Sequence, residues 1–239
     1  MKTQDVTYQD SAVNLNGFVA WDDSIQGPRP GVLVMHEAWG LGEHVMLRAR
    51  QLAEMGYVAF AADLYGERKQ VAKMEDAMTL IGDLRANPQK LRTRARAALT
   101  ACQALAQVDT ARMGAIGFCF GGTTVLELAR DGADVMGVVS FHGGLETQTP
   151  ADKGKVKAKV LVLTGADDPM VPPTHIAAFE DEMKKAEADF RVVSYPGAVH
   201  GFMNPDADGS IAPGILYNET VAAQVWAEMK RFFKAVFRA

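Results

Sequence analysis

One of the two cysteines in this 239-residue chain lies in a glycine-rich turn, residues 117–122, which reads GFCFGG. The pattern Gly117-x-Cys119-x-Gly121 is that of a nucleophile elbow with cysteine in place of serine. Such a strand-to-helix turn needs glycines because its backbones approach closely and leave no room for a Cβ atom. A helix starting at Gly121 would direct its positive end at Cys119 and favour the reactive thiolate. The alternative is a small buried cysteine on a turn.

Candidate acid and base residues follow two later apolar runs. A thiol nucleophile needs a base and a group that orients the base. Asp167 and Asp168 directly follow KVLVLTG, and His200 follows FRVVSYP. The order nucleophile, acid, histidine is that of the α/β-hydrolase triad, and ligands of such sheets bind at the carboxyl ends of strands. The joint pattern favours a triad that contains Cys119 and His200 over an unrelated loop histidine. Cys102, among helical alanines, is interpreted as core packing.

The apolar pattern predicts the elements that position these residues. Strand-length apolar runs alternate with helical segments, which predicts a mostly parallel, doubly wound sheet with helices on both faces, in a single domain over residues 1–239. Residues 6–21 alternate and contain Asn16-Gly17, a hairpin signal. The other predicted strands are 31–36, 56–63, 112–118, 135–141, 159–165 and 190–196. The predicted helices are 43–55, 73–107 with a break at Asn87-Pro88, 122–130, 173–188 and a last one from 217. Residues 201–214 are expected to form a surface loop.

Composition and charge exclude several classes of protein. The formal net charge of −4 argues against nucleic acid or an anionic membrane as the main partner. The apolar runs are strand-sized, and the first residues carry no signal-peptide pattern. Two cysteines do not make a disulfide framework, so a reducing, cytoplasmic location is expected. His36, His44, His142 and His175 show no metal-ligand spacing, and neither a metal nor a cofactor is expected.

Five segments together resemble the dienelactone hydrolase family of α/β-hydrolases. They are MHEAWG (35–40), DLYG (63–66), GFCFGG (117–122), GADDPMVPP (165–173) and AVHGF (198–202), in the family's order and across nearly the whole chain. The resemblance implies an α/β-hydrolase fold and a carboxymethylenebutenolidase-like hydrolysis of an ester or lactone. It also implies an acyl-thioester intermediate and no cofactor. Enol-lactones and small activated esters are the expected substrates of a monomer or small homo-oligomer.

The resemblance assigns roles to the triad candidates. Cys119 matches the nucleophile and His200 the base. Asp168 matches the orienting acid, because the family pattern is an aspartate followed after two residues by Val-Pro, here Val171-Pro172. Asp167 is then a turn residue.

Further roles concern the residues after the first apolar strand. Glu37 matches an extra carboxylate near the nucleophile, which the resemblance implies takes the thiol proton when substrate arrives; otherwise it could cap a helix or pair with an arginine. The backbone N–H groups of Ala38 and Phe120 match the oxyanion hole. Position 120 also follows from elbow geometry, since the residue after the nucleophile directs its N–H at the developing oxyanion. Trp39 and Tyr65 follow strand ends and are candidate pocket residues; either could equally be ordinary packing of the wall.

The sequence departs from the family's type enzyme where the substrate is recognised. In that enzyme arginines grip a substrate carboxylate, one of them in a His-Ser-Phe-Ala-Arg segment. The matching segment here is His-Gly-Phe-Met-Asn, so that Asn204 replaces the arginine. A neutral amide cannot form a charged, bidentate clamp. Arg68 and Arg85 are candidates for the family's other arginine. We therefore expect retained chemistry on a changed substrate.

Two alternatives stay open at this point. One is a thioesterase or general carboxylesterase that uses the same triad. The other is a non-enzymatic protein in which the thiol of Cys119 serves redox sensing or ligand binding.

Overall fold

Eight strands form one mixed sheet in the computed structural model, which describes residues 1–238. The strands are β1 (Lys2–Asp10), β2 (Val13–Trp21), β3 (Arg29–Met35), β4 (Val58–Ala62), β5 (Val108–Phe118), β6 (Gly137–Phe141), β7 (Lys159–Gly165) and β8 (Phe190–Tyr195). The helices are α1 (Glu43–Glu54), α2 (Met74–Arg85), α3 (Pro88–Gln103), α4 (Phe120–Arg130), α5 (Pro173–Lys185) and α6 (Glu219–Val236).

The sheet has the order β1-β2-β4-β3-β5-β6-β7-β8. Strands β1 and β2 pair antiparallel, and β2 pairs antiparallel with β4; every later pair is parallel. Central strands such as β3, β4 and β6 are buried along their whole length, as expected for parallel strands covered on both faces. The predicted α/β architecture is confirmed.

The helices cover the sheet in two groups. Helices α1 and α6 pack on one face, where Val45 and Leu52 share a core with Val225 and Phe233. Helices α2 to α5 supply the core of the other face, for example Leu91 and Phe179. The sheet is thereby enclosed between two apolar layers, and the carboxyl ends of its parallel strands meet at one edge. Within residues 1–238, no helix combines the length and apolar character needed to cross a bilayer.

The predicted hairpin turn was wrong in position. The chain turns at residues 11–12, where Ser11 has a φ of 53°, and Asn16 and Gly17 lie inside β2. Gly17 serves packing instead of a turn, because a Cβ atom there would lie 2.8 Å from the ring of Phe60. Strand β5 also begins at Val108, four residues earlier than predicted, where it pairs with Arg29 of β3.

The segment 201–214 is only partly a surface loop. Phe202 and Met203 are fully buried and belong to the core beneath α6. This apolar pair anchors the segment that directly follows His200, and it does so in the same core as Phe118, the last residue of β5. The surface excursion begins after Asn204.

Candidate active site

The turn between β5 and α4 holds Cys119 in an unusual backbone conformation. Cys119 has φ 53° and ψ −115°, a region that non-glycine residues occupy only when the surroundings enforce it. A Cβ atom on Gly117 would lie 2.0 Å from the oxygen of Gly121, and one on Gly121 would lie 2.1 Å from the oxygen of Met35. The turn therefore requires both glycines. Helix α4 begins directly after Cys119, at Phe120, slightly earlier than predicted.

A chain of hydrogen bonds joins the three triad candidates. Nδ1 of His200 lies 2.9 Å from Oδ2 of Asp168, and Nε2 of His200 lies 3.1 Å from Sγ of Cys119. Asp168 is 3% exposed, and its Oδ1 accepts a bond from the N–H of Met170 at 2.8 Å. The neighbouring Asp167 is exposed and accepts a bond from the N–H of Gly197, as suits a turn residue.

The charges around His200 set its protonation. Burial alone would lower its pKa, but the thiolate charge of Cys119 and the hydrogen bond and charge of Asp168 outweigh burial and raise the pKa to about 10. The imidazolium is thus favoured at neutral pH beside the sulfur of Cys119. The other thiol differs: Cys102 is fully buried in the core, as predicted, and burial raises its pKa to about 12.

Two backbone N–H groups beside Cys119 have no hydrogen-bond acceptor. Among the described residues, the amides of Ala38 and Phe120 donate to no backbone or side-chain atom, and both residues line the same cavity as Cys119. Tyr65 packs against both of these residues: its O–H donates to the backbone oxygen of Ala38 at 2.8 Å, and its ring stacks on the ring of Phe120. Tyr65 was expected in the pocket, yet it is absent from the described residues that line it.

Glu37 is held by two side chains. Its Oε2 accepts a bond from Nδ2 of Asn204 at 2.9 Å and lies 3.1 Å from Nδ1 of His44. The oxygen of the Asn204 amide accepts a bond from the N–H of Asp206, so both ends of this amide are used. Within residues 1–238, Glu37 makes no hydrogen bond to Cys119. The hydrogen-bond partner of the Cys119 sulfur is therefore His200 and not the carboxylate.

A cavity of about 1110 Å³ opens beside the triad candidates. Trp39 and Asn204 line it. Three of the exposed large apolar side chains lie along it: Met78, Met170 and Ile211. No three His, Cys, Asp or Glu side chains in the described part of the chain are grouped as a metal site requires.

The two candidate arginines, Arg68 and Arg85, differ in their location relative to the cavity. Arg85 lines the cavity and makes no ion pair or hydrogen bond with any described residue. Arg68 instead donates to the backbone oxygens of Asn16 and Gly17 and pairs with Asp5. Arg85 is therefore the arginine available to a ligand in the cavity.

Sequence reasoning missed a histidine beside the elbow. Nδ1 of His142 accepts a bond from the N–H of Cys119 at 3.2 Å, and the two rings of His142 and His200 meet edge to face at 5.0 Å. Burial, and then the charge of His200, lower the pKa of His142 well below its usual value, which keeps it neutral. Its position just after β6, at the same sheet edge, was the available signal.

Architecture and site geometry together define an α/β-hydrolase. The model of the dienelactone hydrolase family matches residues 15–237, and the chain belongs to that family. The chain is accordingly a hydrolase of ester or lactone bonds with a small-molecule substrate.

Three proteins similar to this chain illustrate its relationship to the family. A solved structure named m3DLH shares 40% identity over 99% of this chain and 98% of its own, with a TM-score of 0.96. A second structure, described as a dienelactone hydrolase-like promiscuous phosphotriesterase from metagenomic libraries, has the same identity and coverage and a TM-score of 0.94. A Synechocystis protein named "Putative carboxymethylenebutenolidase" is 27% identical over 98% of this chain and 97% of its own length.

Proposed function

We propose that the protein hydrolyses esters or lactones with Cys119 as nucleophile, His200 as acid and base, and Asp168 as the acid that orients His200. The observation that carries the proposal is the continuous chain of hydrogen bonds from the Asp168 carboxylate through both ring nitrogens of His200 to Cys119 Sγ. A carboxylate only accepts hydrogen bonds, so Asp168 fixes a proton on Nδ1 and turns Nε2 toward the sulfur.

In the acylation step, the thiolate of Cys119 attacks the substrate carbonyl carbon and forms a C–S bond. The N–H groups of Ala38 and Phe120 stabilise the oxyanion of the tetrahedral intermediate. The C–O bond then breaks, and the imidazolium of His200 donates its Nε2 proton to the departing alkoxide. The product of this step is an acyl-thioester on Cys119 and a free alcohol, which stays tethered if the substrate is a lactone.

In the deacylation step, water replaces the alcohol. Neutral His200 accepts a proton from the water as the oxygen attacks the thioester carbonyl. Collapse of the second tetrahedral intermediate breaks the C–S bond and releases a carboxylic acid. The thiolate of Cys119 and the imidazolium of His200 are thereby restored.

The cavity supports a substrate with an apolar portion. Met78, Met170 and Ile211 would contact that portion, and methionine adapts its shape to irregular ligands. Arg85 offers one cation to a substrate carboxylate or carbonyl oxygen. With Asn204 bound to Glu37, the clamp of two arginines is reduced to one, which favours neutral esters and lactones over a dienelactone, whose carboxylate both arginines would bind.

A second candidate activity is the hydrolysis of neutral phosphate triesters. The relative described as a promiscuous phosphotriesterase, 40% identical over 99% of this chain, favours it. Here the same thiolate would form a P–S bond and displace an aryloxide from phosphorus, and the imidazolium of His200 would protonate the departing oxygen. Water activated by neutral His200 would then attack phosphorus and break the P–S bond, which releases the phosphate diester and restores the thiolate. Thioesterase or general carboxylesterase action would use the same residues, whereas a thiol sensor would show no turnover that depends on His200.

The two free cysteines favour a reducing compartment such as the cytoplasm.

Steady-state hydrolysis of p-nitrophenyl acetate tests the proposal. We expect Cys119→Ala to lower kcat by several powers of ten, because removal of a triad nucleophile removes the covalent route. Cys102→Ala, at the buried thiol outside the cavity, is the matched control and should retain wild-type kcat. Similar activity in both variants would overturn the assignment of the nucleophile. A p-nitrophenyl phosphate triester, assayed with the same variants, tests the second candidate.

A further inference from the structure

A histidine and an arginine of α1 connect to Glu37 in a buried relay. Nε of Arg48 lies 3.2 Å from Nε2 of His44, and Nδ1 of His44 lies 3.1 Å from Oε2 of Glu37. The side chains of His44 and Glu37 are each 8% exposed, and Arg48 is buried as well. His44 and Arg48 lie one helical turn apart and therefore share a face of α1. The reaction described above uses neither residue.

The directions of these bonds fix the protonation of His44. A guanidinium group only donates hydrogen bonds, so Nε2 of His44 accepts the bond from Arg48 and carries no proton. The ring proton must then lie on Nδ1, which donates to Glu37. If both ring nitrogens of His44 carried a proton, an N–H donor of His44 would face an N–H donor of Arg48 with no acceptor between them. The geometry thus specifies a neutral His44 with its proton on Nδ1.

Arg48 is itself fixed on several sides. Its Nη2 donates to the backbone oxygen of Met203 at 2.6 Å. The guanidinium carbon lies 4.9 Å from the ring centre of Trp226 and 5.9 Å from that of Phe118. Met203 follows His200 by three residues, and Phe118 directly precedes Cys119. The relay therefore ends on the same two segments that carry the proposed nucleophile and base.

The two oxygens of Glu37 have different surroundings. Oε2 accepts bonds from both His44 and Asn204. Oε1 has no hydrogen-bond partner among residues 1–238, and Glu37 lines the cavity. Donors concentrated on Oε2 hold the carboxylate in one orientation, while Oε1 stays available.

We propose that His44 and Arg48 are positioning residues that hold the Glu37 side chain in one orientation at the cavity, with Oε2 anchored and Oε1 free. Both act through Glu37: Arg48 selects the tautomer of His44, and His44 anchors the carboxylate. The inference rests on the proposed function and on the role that the family resemblance implies for Glu37, control of the thiol of Cys119. Glu37 and Cys119 line the same cavity, and a carboxylate fixed there opposes a thiolate by like-charge repulsion, so the relay would control the reactivity of the thiol.

Nitrogen NMR of the histidine side chains tests the relay independently of any activity. In the full-length protein with ¹⁵N-labelled histidine, at neutral pH, the His44 ring should give the signature of a neutral ring protonated at Nδ1. The spectrum of His44→Asn identifies its resonances. Arg48→Lys, which keeps the charge but lacks the Nε donor, should weaken the preference for Nδ1. An imidazolium, or a proton on Nε2 in the wild type, would overturn the proposal.

A double-mutant cycle tests whether His44 acts through Glu37. We expect His44→Leu to lower kcat/KM for p-nitrophenyl acetate about tenfold, the size of effect expected when a hydrogen bond to a carboxylate is lost. Alkylation of Cys119 by iodoacetamide should speed up in His44→Leu, which releases the carboxylate from its fixed position, and in Glu37→Gln, which removes its charge. In the Glu37→Gln background, His44→Leu should change neither quantity further. His44→Asn, which keeps a donor toward Glu37, should retain most activity.

His175→Leu, at a partly exposed histidine on α5, is the control and should behave as the wild type. Equal effects of His44→Leu in both backgrounds, or none in either, would reject the relay. If thermal denaturation shows that His44→Leu is unfolded, His44→Asn and the wild-type NMR spectrum give the decision. Failure of the nucleophile assignment is separate, since it would appear as retained hydrolysis in Cys119→Ala.

Discussion

The Nε2 atom of His200 lies 3.1 Å from the Sγ atom of Cys119, although 81 residues separate the two in sequence. The sulfur comes from the turn between β5 and α4, and the ring from the loop after β8. The buried pair Phe202 and Met203 anchors that loop in the core. The contact therefore depends on the fold of the whole sheet. Its chemistry can be tested by thiol labelling, by pH dependence and by substitution.

The two thiols should differ sharply in reactivity. Iodoacetamide at neutral pH is expected to alkylate Cys119 rapidly, because this residue is partly exposed at the cavity and its sulfur lies 3.1 Å from Nε2 of His200. Cys102 should stay unmodified in the folded protein, since it is fully buried and burial raises its pKa to about 12. Peptide mapping by mass spectrometry measures both. Equal labelling of the two thiols in the folded protein would contradict this account.

The activity should decline at alkaline pH as His200 loses its proton. Its pKa of about 10 places the alkaline limb of kcat/KM near that pH, above which no imidazolium remains to protonate the leaving group. Asp168→Asn removes a hydrogen-bonded charge that raises this pKa, so the limb should move down by at least about one pH unit. A pH–rate profile of both proteins measures the shift; identical limbs would argue against His200 as the titrating group.

The ionisation of His200 should also make the stability of the fold depend on pH. The pKa of His200 is raised from 6.5 in the unfolded chain to about 10 in the folded protein. The folded state therefore binds the proton more tightly, and this contribution is fully present below about pH 6.5 and is lost as the pH rises through 10. Thermal denaturation from pH 6 to 11 should show a smaller alkaline loss of Tm in His200→Ala than in the wild type.

Replacement by alanine should change the unfolding free energy in opposite directions at two glycines. In Gly121→Ala, the added Cβ would lie 2.1 Å from the backbone oxygen of Met35, and we expect a loss of about 3 kcal/mol or more in unfolding free energy. Gly82, inside α2, has no atom within 4 Å of an added Cβ, so Gly82→Ala should stabilise the helix by about 0.5–1 kcal/mol. Urea denaturation distinguishes them, and equal effects would argue against a close-packed elbow.

The sequence predicted the sheet, its helices and the residues that meet at its edge, because apolar runs and strand-end positions are local signals. The hairpin turn was misplaced because the glycine in Asn16-Gly17 serves the packing of Phe60, a contact 43 positions away that no local pattern contains. His44 and His142 were weighed only as metal ligands. Their contacts with Glu37 and Cys119 arise from tertiary packing, so sequence spacing could not reveal them.

Arg85 should influence the choice of substrate. As the cavity arginine without a partner among residues 1–238, it can bind a carboxylate on the substrate. We expect Arg85→Gln to lower kcat/KM about tenfold for a p-nitrophenyl ester that carries a carboxylate, as loss of a charged hydrogen bond does, and to leave p-nitrophenyl acetate nearly unchanged. Arg68→Gln, outside the cavity, should affect both esters alike. Equal losses on both esters in Arg85→Gln would contradict a role in recognition.

The covalent intermediate is the most direct test of the proposed mechanism. Wild-type protein mixed with p-nitrophenyl acetate and quenched with acid within one turnover should carry one acetyl group, and peptide mapping should locate it on Cys119. Cys119→Ala should carry none, and Cys102→Ala should resemble the wild type. An acetyl group on another residue, or wild-type turnover by Cys119→Ala, would contradict the account.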